Sequence, residues 1–183
     1  FNSGGNLTQS GTFNVSGTLI LNGGSHNFTA ATGFGGAGAL NISGTCTVSA
    51  AAGFAPAFAT VTHSANLNAG GSTALTIPSG TTWNWTSGDF GAFTSITNDG
   101  TLDINGFNNH NTAANVTNNA GKTINWNDGH LDQAAGGQTL TNHGTFNLIA
   151  NPGGLGFQMA IVNTGAITKP AGGSSLFISL PFD

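Results

Sequence analysis

Apolar and polar residues alternate along most of this chain, and glycines interrupt the alternation at regular intervals. Residues 144–148 have the sequence Gly-Thr-Phe-Asn-Leu, and residues 100–104 show the same order of glycine, small, apolar, polar and apolar residues. Residues 121–126 repeat it with one extra position, and residues 165–168 repeat it in a weaker form. Alternation with a period of two is typical of short β-strands that bury one face. Because no window has the spacing of an amphipathic helix, we expect an all-β protein.

The glycines that open these segments recur at nearly constant spacing. The intervals between Gly80, Gly100, Gly121, Gly144 and Gly165 are 20, 21, 23 and 21 residues. A fixed period of this size indicates stacked structural units. We therefore predict a parallel β-solenoid (β-helix) of roughly eight turns, forming one domain over residues 1–183. An antiparallel β-sandwich is the alternative, because it also has many short strands between turns, but it does not predict a motif of constant period.

The alternation also predicts which side chains point into the solenoid and which lie at its corners. The expected inward residues are Phe13, Val15, Leu40, Ile42, Leu75, Ile77, Leu102, Ile104, Phe146, Leu148, Ile161 and Ile167. Glycine and asparagine are expected at the corners because both tolerate positive φ. The predicted corner residues are Asn98, Gly100, Asn142, Gly144, Asn163 and Gly165. We expect the three corner asparagines to stack into a ladder of side-chain hydrogen bonds.

The composition is unusually poor in charge. Only 4% of the residues are charged, Arg, Glu and Tyr are absent, and the net charge is −4, so binding to nucleic acid, which needs clustered cations, is not expected. No apolar run is long enough to span a membrane. The 13 Phe and three Trp residues, placed in regular alternation, favour an ordered fold over a disordered segment. The single Cys46 occupies an apolar strand position, where a buried thiol is expected, and the composition as a whole suits an extracellular or cell-surface protein.

Three tryptophans are the side chains most suggestive of a binding site. Trp85 and Trp126 occupy matching positions in two copies of the repeat, and by alternation Trp83 lies on the same face as Trp85. If the indoles are exposed, they could stack on sugar rings and make the chain a carbohydrate-binding adhesin module. If they point inward, they belong to the core.

The titratable residues give little support for catalysis. Glycoside hydrolysis needs two carboxylates at a defined separation, but Asp99 and Asp128 each precede a glycine, as turn residues do, and Asp103 is an outward strand residue. The histidines lack the close spacing of a metal-binding pair, and a calcium site between Asp128 and Asp132 is a weak alternative. We expect no enzyme activity, no metal and no cofactor; a polysaccharide-acting β-helix enzyme is the remaining catalytic hypothesis.

An ice-binding surface would need a flat and regular Thr-x-Thr array. Thr45 and Thr47 form one such pair. In the sequence this pair is not repeated from turn to turn, so the pattern gives an ice-binding surface little support.

The Asn-x-Gly-Thr-apolar-x-apolar signature, with Trp-x-x-Gly corners between its copies, resembles the β-helical repeats of large secreted bacterial surface proteins and autotransporter-like adhesins. The resemblance is best over residues 80–169. It implies an extracellular stalk, filament or adhesive surface, and it carries no shared catalytic residues. The leading functional hypothesis is therefore a structural β-solenoid module.

The apolar pattern of the last residues predicts a strand without a polar cap. Its candidate assembly residues are Leu176, Phe177, Ile178, Leu180 and Phe182. Natural proteins usually protect such edges. We therefore expect copies to associate end to end or by strand addition, or the chain to be part of a longer array; packing of this strand on its own core is the alternative.

Overall fold

The computed structural model describes residues 2–29, 32–134, 136–149 and 159–170, and all regular secondary structure in them is β. The strands, in chain order, are β1 (Asn2–Ser3), β2 (Leu7–Gln9), β3 (Thr12–Asn14), β4 (Thr18–Phe28), β5 (Gly33–Gly35), β6 (Ala39–Ala50), β7 (Thr60–His63), β8 (Leu67–Ala69), β9 (Leu75–Ile77), β10 (Thr82–Trp85), β11 (Phe90–Gly91), β12 (Ile96–Asn98), β13 (Thr101–Ile104), β14 (Asn109–Thr112), β15 (Val116–Asn118), β16 (Thr123–Trp126), β17 (His130–Gln133), β18 (Thr139–Asn142), β19 (Thr145–Leu148), β20 (Ala160–Asn163) and β21 (Ala166–Thr168).

Every pairing between these strands is parallel, and each strand pairs with the equivalent strand of the next coil. The chain therefore winds as a parallel β-solenoid of about seven turns. This confirms the predicted fold and rules out the antiparallel sandwich, in which neighbouring strands would run in opposite directions. The predicted number of eight turns is the whole length of the chain divided by the period. The described strands begin at Asn2 and end at Thr168, which is a shorter span.

Three strands in each central coil form three walls around the core. The first wall runs β6-β7-β10-β13-β16-β19-β21, and the second runs β6-β8-β11-β14-β17. The third wall is the sheet β9-β12-β15-β18-β20. In the first coils the long strands β4 and β6 pass through the first and second walls without a break, and their mutual register shifts once, between Leu21 and Asn22.

The alternation of the sequence is reproduced in the burial of each strand. Strands β7, β10, β13, β16 and β19 all have outward residues at positions one and three and buried residues at positions two and four. Nine of the predicted inward residues are buried: Leu40, Ile42, Leu75, Ile77, Leu102, Ile104, Phe146, Leu148 and Ile161. Phe13, Val15 and Ile167 pack on the core but are only partly buried, because they lie in the first and last described coils.

Cys46 lies inside the tube as predicted. Its side chain is fully buried and free, and the thiol is 2.9 Å from the carbonyl oxygen of Gly44. Burial raises the pKa of this thiol, so it behaves as a small apolar core residue and is a poor nucleophile.

Candidate functional site

A ladder of asparagine amides runs along the third wall inside the solenoid. Asn98, Asn118, Asn142 and Asn163 lie in register on successive strands. The Nδ2 of each of the first three donates to the Oδ1 of the next, at 2.8, 2.7 and 2.7 Å. The ladder predicted from Asn98, Asn142 and Asn163 thus exists, and Asn118 completes it. Asn118 was missed because Gly121 follows it by three residues, not by two as in the Asn-x-Gly motif.

The amides of Asn98, Asn118 and Asn142 also tie each corner to the first-wall strand of the next coil. The Nδ2 of Asn98 donates to Thr123 O at 2.9 Å, and the Nδ2 of Asn118 donates to Thr145 O at 3.1 Å. The Oδ1 of Asn98 accepts in addition from the backbone N–H of Gly100. Asn98, Asn118 and Asn142 are completely buried and Asn163 is partly buried. Amides inside a core must be hydrogen-bonded, and the ladder provides these bonds. The ladder therefore fixes the stacking of successive corners.

Replacing Asn118 by Ala is expected to lower the free energy of unfolding by about 3 kcal/mol, because the amides of Asn98 and Asn142 each lose a buried partner. Urea unfolding followed by circular dichroism measures this. Asn125→Ala is the matched control, since Asn125 belongs to an outward ladder where water can replace the lost bonds; we expect it to cost less than about 1 kcal/mol. Equal losses in the two variants would contradict a special role for the inner ladder.

The corner glycines are required for close approach between coils. None of Gly100, Gly144 and Gly165 has positive φ, which corrects the reason predicted from sequence. A Cβ on Gly144 would overlap the carbonyl oxygens of Lys122 and Asn119 in the preceding coil, and one on Gly165 would overlap Gly144 O. At these three positions the glycine marks the place where the backbone of one coil touches the preceding one, whereas Gly80 and Gly121 have positive φ and open space at the Cβ position.

Gly144→Ala is expected to destabilise the solenoid by more than about 2 kcal/mol, because the added methyl group meets backbone atoms that cannot rotate away. Thermal unfolding of the variant measures the effect. Gly17→Ala is the control, since a Cβ there meets open space and the φ of Gly17 is not positive. A loss of stability at Gly17 as large as at Gly144 would exclude the steric explanation.

The three tryptophans lie in the core, which corrects their suggested role in stacking on glycans. Trp83, Trp85 and Trp126 are at most 2% exposed. The Nε1 of Trp85 donates to Gly88 O at 2.7 Å, and the Nε1 of Trp126 is 3.1 Å from Asp128 O. Because the ring faces pack on other coils, no indole face is open to a sugar. The Trp-x-x-Gly corner is thus a core tryptophan that bonds to the turn after it.

A buried histidine stands in the same column as Trp85. His63 pairs in register with Trp85, stacks on its ring at 5.9 Å and lies 4.6 Å from the ring centre of Phe90. Neither ring nitrogen of His63 makes a hydrogen bond in the described part of the chain. Burial lowers the pKa of His63 to about 3; the backbone of Ala65 opposes this and the His110 ring adds to it. His63 is therefore neutral at any ordinary pH in the folded protein.

The outward side of the first wall is a regular polar surface, which we name the Thr–Asn face. It consists of two columns on β7, β10, β13, β16 and β19. The first column is Thr60, Thr82, Thr101, Thr123 and Thr145, and the second is Thr62, Asn84, Asp103, Asn125 and Asn147. All ten side chains are partly exposed. The sequence intervals within the first column vary from 19 to 22 residues. The column therefore cannot be recognised from the sequence and becomes visible only in the stacked strands.

The second column of the Thr–Asn face is held by its own hydrogen bonds. The Nδ2 of Asn125 donates to Asp103 Oδ1 at 2.7 Å, and the Nδ2 of Asn147 donates to Asn125 Oδ1 at 2.8 Å. The Thr168 hydroxyl of the next coil donates to Asn147 Oδ1. By contrast, no side-chain hydrogen bond within the described protein involves the hydroxyls of the first column. The face therefore combines fixed amides with hydroxyls that are open to solvent.

The carboxylates are engaged singly in the ladders and turns. Asp99 accepts from the Asn119 amide at 2.7 Å, and Asp89 accepts from the Asn111 amide at 2.9 Å. Asp128 accepts from the backbone N–H of Gly129 at 2.8 Å, as a turn residue does. Within the described ranges, no group of three or more His, Cys, Asp or Glu residues is arranged to hold a metal ion. Burial raises the pKa of Asp132, and His130 partly opposes this shift.

The candidate assembly residues Leu176, Phe177, Ile178, Leu180 and Phe182 lie outside the described residues. In the part of the chain that is described, no helix is long and apolar enough to cross a membrane. No protein-family model, curated protein or solved structure matches the chain.

Proposed function

We propose that this chain is a structural module of an extracellular stalk, adhesin or self-assembling filament, and that it acts through its shape without catalysis. The observation that carries the proposal is the unbroken parallel register of the first wall from β6 to β21. In such an array each coil contacts only its neighbours, so stability accumulates along the axis and the fold extends by repetition.

The hydrogen-bond ladders make this array stiff. From Asn98 onward, neighbouring coils are joined by the backbone bonds of the walls and by the amide ladder that ends at Asn163. The outward amides of Asn125 and Asn147 add bonds between β13, β16 and β19. Bending the rod would separate these groups on one side, and the buried amides have no water to replace a lost partner. Resistance to bending and to local opening is the property a stalk or filament needs.

The composition supports a place outside the cell. Charged residues make up only 4% of the chain, and its one cysteine is buried and free, so exposed thiols contribute nothing to its surface chemistry. The resemblance of the repeats to those of secreted bacterial surface proteins points in the same direction. The three tryptophans lie in the core, which does not favour the glycan-binding alternative. The carboxylates are distributed singly along the ladders, which does not favour the enzyme alternative.

Negative-stain electron microscopy of the purified chain tests the structural role directly. We expect straight rods of uniform width that lengthen into filaments as the protein concentration rises. Protease treatment of intact producing cells should in parallel remove the protein from their surface. Compact particles at every concentration, together with full protection inside intact cells, would reject the proposal.

Self-association forms part of the same proposal, by end-to-end stacking or by addition of the terminal segment that is predicted from sequence to be a strand and that contains Leu176, Phe177, Ile178, Leu180 and Phe182. Deleting residues 176–183 should abolish the growth in light scattering that accompanies filament formation. The monomer should keep its circular dichroism spectrum, because the ladders from Asn98 to Asn163 are untouched. Assembly that is unchanged by the deletion would exclude this strand as the contact.

A further inference from the structure

The Thr–Asn face has the geometry of a crystalline surface. Its strands β7, β10, β13, β16 and β19 follow one another in direct register with no shift. Parallel neighbours repeat at about 4.8 Å along the axis, and alternate residues of one strand lie about 6.6 Å apart across it. The ten side chains thus form a rectangular lattice of two columns, whose two repeats are similar to the oxygen spacings on the prism faces of hexagonal ice.

The chemistry of the face suits an ordered lattice of water. Each of the five threonines of the first column presents a hydroxyl that makes no side-chain hydrogen bond to the described residues, and a methyl group fixed by the stiff β-branched side chain. The amides of Asn125 and Asn147 are already held in position by their ladder. Groups that are fixed before binding lose little entropy when they bind, and many weak contacts on one rigid surface act together as a multivalent contact.

The Thr–Asn face carries almost no charge, which favours an uncharged partner. Asp103 is the only charged residue among the ten, and no Lys or Arg lies in either column. The large apolar side chains that are exposed in the described residues are Phe107, Ile149 and Val162, and none belongs to the Thr–Asn face. A phosphate-rich polymer would need cations, and stacking on sugar rings would need an aromatic platform, whereas ice is neutral and periodic and needs neither.

We propose that the Thr–Asn face binds ice. The five threonine hydroxyls and the outward N–H groups of the asparagine column take lattice positions of the ice surface, and the threonine methyl groups fill the spaces between them. The inference is independent of the filament role: a rod that ignores ice would still be a rod, and an ice-binding monomer would still bind ice without polymerising.

Partitioning of the purified chain into slowly growing ice tests the proposal. We expect the native protein to be incorporated into the ice, and inhibition of ice recrystallisation provides the second readout. The double variant Thr101→Lys/Thr123→Lys places two long charged side chains on adjacent coils in the centre of the face, and it should lower incorporation about tenfold or more, equivalent to the loss of at least 1.4 kcal/mol of binding.

The matched control is Thr97→Lys/Thr117→Lys. These two threonines are also neighbours in register and partly exposed, but they lie on the third wall, so the variant carries the same added charge without touching the Thr–Asn face. We expect it to enter ice like the native protein. Melting curves of both double variants must show that each is folded. Exclusion of the native protein from ice, or equal loss in the two double variants, would overturn the assignment.

The substitution Asp103→Asn distinguishes binding of ice from binding of another ligand by the same face. This substitution removes the only charge and extends the column of amides, so incorporation into ice should be equal or greater. A variant that loses binding would show that the carboxylate itself holds a ligand, and the ice proposal would be wrong. Binding of the native protein to crystalline cellulose or chitin, combined with exclusion from ice, would overturn it as well.

Discussion

Replacing Trp85 by Ala should lower the free energy of unfolding by about 4 kcal/mol or more, because a large buried aromatic side chain leaves a cavity that the stacked coils cannot close. Trp85 is 1% exposed, and its ring lies 4.4 Å from that of Phe90 and 4.9 Å from that of His110. Its removal also leaves the carbonyl of Gly88 without its indole donor. Thermal and urea unfolding measure the loss.

The control for Trp85→Ala is Phe107→Ala. Phe107 is 88% exposed, so its truncation should change stability by less than about 0.5 kcal/mol. Trp85→Phe should fall between the two, since the ring stack is retained and the Gly88 hydrogen bond is lost. A glycan array run on folded Trp85→Phe should match that of the native protein. Weak destabilisation by Trp85→Ala, or selective loss of glycan binding in Trp85→Phe, would contradict the core role.

Lowering the pH from 7 to 4 should destabilise the protein strongly, with His63 alone accounting for about 3 kcal/mol. The pKa of His63 is about 3 in the folded protein and near 6.5 when unfolded. Between these values the unfolded chain binds the proton and the folded chain does not, so stability is full above the unfolded pKa and decreases as the pH falls toward 3. Urea midpoints measured across this range give the slope.

Other buried groups shape the same pH profile. Burial also lowers the pKa values of His26 and His110, which adds to the loss in acid. The raised pKa of Asp132 acts in the opposite sense, because its protonation favours the folded state.

The substitution His63→Phe isolates the His63 contribution to the pH profile. It keeps an aromatic ring beside Trp85 and Phe90, and it removes the titration together with two ring nitrogens that have no partner in the described structure. The variant should be at least as stable as the native protein at pH 7 and should lose about 3 kcal/mol less on acidification to pH 4. If the unfolding free energy of His63→Phe falls with decreasing pH as steeply as that of the native protein, other groups control acid unfolding.

The parallel solenoid was predictable because its two signals are local. Alternation of apolar and polar residues reports which side of a strand is buried, as Leu102 and Ile104 illustrate, and the glycine period reports the length of one coil. The inner ladder was partly predictable for the same reason: Asn98, Asn142 and Asn163 share the Asn-x-Gly motif. Asn118 occupies the same place by stacking alone, without that local motif.

Side chains with both apolar and polar character were harder to assign. Alternation puts Trp83 and Trp85 on one side of β10, but an indole suits either a core or a sugar-binding surface, so the sequence left both roles open. From the sequence alone His63 is a polar residue, and only the strand register shows that it lies beside Trp85. The reason for glycine at position 144 was also inaccessible, because the carbonyls that exclude a Cβ belong to the preceding coil.

The sequence by itself determined that this protein is all-β, that its strands are short and half-buried, and that they recur with a period of about 21 residues. Only the tertiary structure decided which residues of different coils become neighbours. Turns of unequal length absorb the irregular spacing between Thr60, Thr82 and Thr101, and the backbone hydrogen bonds then bring these residues into a straight column. The Thr–Asn face forms because backbone hydrogen bonds between strands set which residues are aligned. The sequence intervals between the aligned residues are irregular, so the face cannot be found from a constant spacing in the sequence.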